Sequence, residues 1–339
     1  MQIPGNSPIR DDGHGVCQSR LRANDRLRAI VSAPVITPPA LAVGARVALL
    51  SPAGPLASDA DLERAERNAR ALGWEPHVSA HALAREGYLA GDDASRLADL
   101  NAAIRDSRVD AIWCLRGGYG AMRLLDAIDY DALRRAPKAI IGYSDITALH
   151  LAVRARSGIV SYHGPTARAE LTPFSRQSLL CATSHGCDPF AAAAPLTWLQ
   201  EGSATGTLEG GNLALVCSLL GTPYAARFDG AILVLEDVNE PLYRIDRMLR
   251  QLILAGALAR IAGLCFGAFS ERGDERDTAP RSLDVLFREA ATHVRGPVVC
   301  DVPCGHVADQ WTFPLGARAN LSASDGLVLA PSPASQFTP

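Results

Sequence analysis

Along the first half of the chain, apolar runs of strand length alternate with stretches whose apolar residues recur every three or four positions. Arg46-Val-Ala-Leu-Leu-Ser51 is the first run, closed by the loop Pro52-Ala-Gly-Pro55. Leu62, Ala65, Ala69 and Leu72 then share one helical face, with Asp59 or Asp61 as cap and Gly73 as stop. A strand is predicted near 75–78, and a helix after Asp92-Asp93 carries Leu97, Leu100 and Ile104. The run 109–115 reads as a buried strand, followed by a helix holding Met122, Leu125 and Ile128. Ala139 to Ile141 is another strand, and Ile146, Leu149 and Val153 mark the helix after it. A last strand covers 159–162. This alternation predicts an α/β unit with a parallel sheet covered by helices on both faces.

The pattern loosens over 166–205, where Pro173, Pro189 and Pro195 punctuate a connection with some helix around 175–182. It resumes near Gly206. Residues 231–236, 261–266 and 297–300 read as strands. A helix opened by Pro241 places Leu242, Ile245, Leu249 and Leu252 on one face, and another is predicted over 282–294. Residues 321–329 close the pattern as a hairpin. The expected organisation is therefore an N-terminal extension over 1–40 without order, an α/β domain over 45–165, a connection over 166–205 and a second α/β domain over 206–332.

Composition narrows the class. Of 339 residues, 48% are hydrophobic and 33 basic residues face 36 acidic ones, a net charge of −3. That balance gives no electrostatic reason to expect nucleic acid or an anionic membrane as partner. No apolar run has the length of a membrane span, and Arg10, Asp11, Asp12, Arg20, Arg22 and Arg26 interrupt any signal-like core. A soluble cytoplasmic protein is expected, with its eight cysteines as free thiols. Two groups mix zinc-ligand types: Cys181, His185 and Cys187, and Cys300, Cys304 and His306. Neither has paired Cys-x-x-Cys spacing, so no metal is expected.

Candidate chemistry centres on Gly142-Tyr-Ser-Asp145, where a buried strand turns into a helix. That turn exposes the Ser144 hydroxyl and aims free helix N–H groups at whatever it attacks. Ile146 stands where the hydrolase elbow Gly-x-Ser-x-Gly needs its second glycine, and Ser144 or Asp145 as a plain helix cap is the competing reading. Gly117, Gly118 and Gly120 follow a neighbouring strand and could supply backbone donors. They form neither a dinucleotide fingerprint nor a P-loop, and no cofactor is expected. Glu236 ends an apolar strand, where open α/β sheets place functional groups. His306 lies in a Gly-flanked loop past another strand, a suitable place for a general base; His163, also just past a strand, is its rival. Ser, then Glu, then His is one order a catalytic triad can take.

These residues carry a family resemblance. Ser51-Pro-Ala-Gly54, Gly87-Tyr-Leu-Ala-Gly91, Arg116-Gly-Gly-Tyr-Gly120, Gly142-Tyr-Ser-Asp-Ile-Thr147, His163-Gly-Pro165, Glu209-Gly-Gly-Asn-Leu213, Leu235-Glu-Asp-Val-Asn-Glu240 and Gly305-His306 run in the order found in the LD-carboxypeptidases. Together they cover about 45–330. The resemblance implies two α/β domains with the active site in the cleft between them, in a homodimer. It implies a triad of Ser144, His306 and Glu236, with the backbone N–H groups of Asp145 and Gly118 as oxyanion donors. The implied reaction removes the terminal D-Ala of a cytoplasmic murein tetrapeptide. Gly117 to Gly120 and Asn212 are the positions expected to hold the substrate carboxylate. The same family includes microcin self-immunity peptidases, which cleave peptide–nucleotide conjugates and stack the base on aromatic rings; Trp198 is a position to test for that role. A third reading is a peptide-binding protein without catalysis, against which the presence of Ser, Glu and His together argues.

Overall fold

The computed structural model describes residues 35–270 and 281–330. Most of the expected N-terminal extension, 1–34, lies outside them. Its last residues are tied down, contrary to expectation: the Ile36 amide donates to the Gly158 carbonyl at 3.0 Å and its carbonyl accepts from Val160 at 2.8 Å.

The first α/β unit runs β1 (Arg46–Leu50), α1 (Asp59–Ala71), β2 (Glu75–Val78), α2 (Asp93–Arg105), β3 (Ala111–Cys114), a 3-10 helix (Ala121–Ala127), α3 (Tyr130–Arg135), β4 (Ala139–Gly142), α4 (Thr147–Ser157) and β5 (Ser161–His163). These five strands are parallel in the order β2-β1-β3-β4-β5. The order reverses between β1 and β3, and ligands of open α/β sheets bind at such a switch point, beyond the carboxyl ends of the strands. Every residue of β3 and β4 is buried, as a sheet covered on both faces requires. Helix α4 is buried everywhere except Ala155 and Arg156, so it is a layer between elements, not a surface helix. The helix expected to carry Met122 is a 3-10 helix that buries Leu124 and Leu125 and leaves Met122 exposed.

The second unit follows: α5 (Pro173–Ser184), β6 (Thr197–Gln200), β7 (Ser203–Asn212), α6 (Leu213–Ser218), β8 (Ala231–Val238), α7 (Leu242–Leu254), β9 (Gly263–Ser270), α8 (Leu283–Ala291), β10 (Val298–Cys300), β11 (Phe313–Leu315), β12 (Arg318–Ser322) and β13 (Gly326–Leu329). Its sheet has the order β13-β12-β7-β8-β9-β10-β6, with β7 to β10 parallel. The periodicity of α7 holds: Leu242, Ile245, Leu249 and Leu252 are its buried residues. Two strands cross the expected divisions. β6 comes from the connection and edges the second sheet, and β11 pairs antiparallel with β5 as the sixth strand of the first. The loop between β10 and β11 is thus strung from one sheet to the other. One apolar core joins the two units, with Leu50, Ile140 and Leu149 in the same cluster as Leu213, Leu233 and Ile245. No helix among the described residues is long and apolar enough to cross a membrane.

The cysteines correct one expectation. Helix α5 ends at His185, whose φ of 56° is left-handed, and the turn brings Cys187 back onto Cys181 in a disulfide with a Cα–Cα distance of 4.7 Å. A reading of spacing and compartment alone does not see this turn. The His185 ring meets the Tyr162 hydroxyl at 3.1 Å, so this trio is not gathered round a metal. Among the described residues no three His, Cys, Asp or Glu side chains converge as a metal site. Thiol titration of denatured, unreduced protein should find two fewer thiols than after reduction; equal counts would show that the bridge does not form.

Candidate active site

Strand β4 delivers Ser144 to the carboxyl edge of the first sheet. Tyr143 is extended, and Ser144 then takes φ 65°, a left-handed backbone that non-glycine residues seldom adopt and that gathers at functional sites. A short 3-10 turn, Ser144–Ile146, leads into α4, which begins with no side-chain cap. The capping alternative therefore fails for Ser144. The carboxylate of Asp145 is engaged elsewhere, accepting from the Ala121 amide at 2.8 Å. Burial pushes its pKa up to about 6, against the hydrogen bonds from Ala121 and Gly120 and the charge of Arg96. Its side chain thus secures the exit of the Gly-rich loop, while its backbone lies within the turn that opens α4.

That loop packs directly on the serine. A Cβ on Gly117 would lie 2.9 Å from Ser144 Cβ and 3.2 Å from its Oγ, so only glycine fits there. The Gly54 amide donates to the Gly117 carbonyl at 2.9 Å, which joins the β1 and β3 loops at the switch point. Gly118 is exposed beside them. Buried Arg96 braces the same loops, donating to the carbonyls of Pro52 at 2.6 Å and Gly120 at 3.0 Å and pairing with Asp93.

The second sheet supplies an acid and an imidazole. Glu236, near the end of β8, has no exposed surface, and its Oε2 lies 3.0 Å from His306 Nδ1. Pairing of β8 with β9 slips at this point: Leu235 faces Phe266 but Asp237 faces Phe269. The extra β9 residue is a bulge, a device that ends regular pairing beside functional groups. It lets the Ala268 amide donate to the Cys304 carbonyl at 2.8 Å, which pins the His306 loop beside Glu236. Since that loop runs on into β11, His306 is carried back to the first sheet. Its ring centre lies 4.8 Å from that of Tyr143, the residue before Ser144. His306 and Glu236 are thus paired on the second sheet's side, with the His306 ring set against Tyr143, the residue before Ser144.

Asn212 is held by two neighbours. Its Nδ2 donates to Asp237 Oδ1 at 3.0 Å and its Oδ1 accepts from Leu215 at 3.2 Å, capping α6. Asp237 is pushed up to about 6 by burial, aided by the charge of Glu236. The Asn212 amide donates to Thr147 Oγ1 at 2.9 Å, and buried Arg154 donates to Glu209 at 3.0 Å. These two contacts fasten α4, the helix behind the serine, to β7. Sequence reading missed Arg154 and Glu209 as partners, although Glu209 heads the segment that contains Asn212. Trp198 lies in edge strand β6, partly buried against an apolar cluster of the second unit, and Cys300, Cys304 and His306 do not form a ligand set among the described residues.

A hydroxyl on a strained strand-to-helix turn, packed on glycine-lined backbone, with a carboxylate-paired imidazole set against the residue before it, fits the construction of a serine hydrolase. Comparison with known sequences narrows that class to the serine-type peptidases. Residues 47–164 match the LD-carboxypeptidase N-terminal domain and 205–321 the C-terminal domain; the chain belongs to the LD-carboxypeptidase family. A Streptomyces coelicolor relative is 40% identical over 323 residues, 88% of this chain and 97% of its own. The murein tetrapeptide carboxypeptidase of Pseudomonas aeruginosa is 35% identical over 83% of this chain and 94% of its own. The crystal structure of an MccF-like protein from Bacillus anthracis is similar with a TM-score of 0.76 at 25% identity, over 87% of this chain and 98% of that one.

Proposed function

We propose that this peptidase removes the C-terminal D-Ala of murein tetrapeptides in the cytoplasm, using Ser144, His306 and Glu236 as a triad. The observation that carries the reading is the 3.0 Å contact of His306 with the fully buried Glu236, made against the ring of Tyr143 beside Ser144. His306 takes the proton of Ser144 Oγ as the oxygen attacks the scissile carbonyl. The oxyanion accepts from the backbone N–H groups of Asp145 and Gly118. His306 then protonates the leaving amine of D-Ala, and water attacks the acyl-enzyme in a second, mirrored step. Glu236 orients the imidazole and stabilises its charged form.

A positive field supports a substrate rich in carboxylates. Arg116, next to Gly117, has its pKa lowered by burial and by nearby Arg168 and Arg85, with Asp61 the counter-charge; such a field steers anionic ligands. The second family reading, a peptide–nucleotide hydrolase, gains nothing from Trp198, which lies on edge strand β6 with part of its surface against an apolar cluster. Disulfides are rare in reducing cytosol, so the thiol titration above also bears on the compartment. Mass spectrometry of a murein tetrapeptide after incubation tests the activity, with the C-terminal amide as comparison. Hydrogen bonds to charged groups are worth about 1.5–3 kcal/mol, so the amide should react roughly ten- to a hundredfold more slowly. Equal rates, or cleavage at another bond, would overturn the proposal.

A further inference from the structure

One pair of buried polar atoms lies outside the reaction as written. Glu236 has two oxygens and no exposure; Oε2 meets His306, while Oε1 makes no hydrogen bond. His163 is 2% exposed, and its Nε2 likewise makes no hydrogen bond. These two atoms face each other at 3.9 Å. Buried groups of this kind are rarely left unpaired, because each gave up its water on folding.

We propose that His163 is a positioning residue that donates from Nε2 to the second oxygen of Glu236, extending the row Ser144, His306, Glu236 by one member. The inference rests on the triad reading above. The proton has a defined place. The other ring nitrogen, Nδ1, lies 3.7 Å from Cys304 Sγ. Burial, with the charge of Glu236 next, holds the Cys304 thiol protonated by raising its pKa well above the usual value. In the proposed arrangement the thiol donates to Nδ1 and the imidazole proton stays on Nε2, toward Glu236. Burial also keeps His163 neutral, lowering its pKa to about 3 with help from the nearby His150 and His306. An approach of about 1 Å brings the pair into hydrogen-bond range.

The site keeps His163 in place. It is the last residue of β5, in register with Gly142 of β4 and Phe313 of β11. A Cβ on Gly211 would come within 3.1 Å of its ring carbon. The neighbouring His150 is committed to Ser161 Oγ and the Gly142 carbonyl, at 2.9 and 2.8 Å. A carboxylate held at both oxygens cannot rotate away from His306, as outer partners fix the ligands of a metal.

The test is steady-state cleavage of murein tetrapeptide by the full chain. His163→Met keeps the volume and removes the donor; kcat should fall about ten- to a hundredfold, with KM and melting temperature near wild type. His163→Gln can return an N–H to Oε1 and should restore kcat to within a few-fold. Equal activity of His163→Met and wild type would overturn the proposal, as would an equal loss in both variants. Nitrogen-15 NMR of histidine-labelled wild type gives a readout that needs no variant: the Nε2–H tautomer is expected for His163, and the Nδ1–H tautomer overturns the proposal. Full activity of Ser144→Ala or Glu236→Gln would instead remove the triad beneath it, a result distinguishable from failure at His163 alone.

Discussion

Ser144→Ala is expected to lose at least about a thousandfold in kcat while melting close to wild type. Ser144 is only partly buried, and removal of one oxygen from a solvent-reached turn costs little stability. His306→Ala should be similarly slow. Groups that work as a unit do not add, so the double variant should be no slower than the worse single one. His163→Ala tests the rival base. A buried imidazole with a pKa lowered to about 3 takes up a proton poorly at neutral pH, whereas a base works best with a pKa near the working pH. Steady-state rates on the tetrapeptide decide it: an inactive His163→Ala beside an active His306→Ala would transfer the base to His163.

What the sequence made legible follows from how locally each feature is encoded. The buried runs at 46–51 and 139–141 and the heptad-like face of Leu242, Ile245, Leu249 and Leu252 need only neighbours along the chain, and each forms as expected. Motif order carried the family and brought out Ser144, Glu236 and His306 one by one. The pairing of His306 with Glu236 against Tyr143 was not encoded locally. It depends on β11 crossing to pair with β5, on the bulge of β9 opposite Glu236, and on Thr147 and Arg154 fastening α4 to Asn212 and Glu209. The same limit hid the bond of Asn212 to Asp237, which joins residues 25 apart in sequence. The Cys181–Cys187 bridge needed the left-handed turn at His185, which no spacing rule announces. Asp145 was singled out for its backbone, and its carboxylate proved to hold Ala121, a contact between residues 24 apart in sequence.

Gly305→Ala is expected to cut kcat on the order of a hundredfold, since a misplacement of about 1 Å can cost that much. Gly305 is buried immediately before His306 and has φ 103°, a backbone that L side chains rarely adopt. A Cβ there would stand 2.6 Å from Glu236 Oε2, the oxygen that meets His306, and 2.8 Å from Glu236 Cβ. Glu236 has no exposed surface into which to retreat, so the carboxylate or the His306 loop must move, and either parts the pair. The backbone strain adds a destabilisation of order 1–3 kcal/mol, visible as a lower melting temperature, and rates are therefore compared well below it. Coupling separates this route from general damage. If the methyl acts through Glu236, Gly305→Ala in a Glu236→Ala background has no carboxylate left to displace, and the two losses should be far from additive. Full additivity would place the damage elsewhere in the loop, and a wild-type rate for Gly305→Ala alone would show that the contact between Glu236 and His306 does not set the rate.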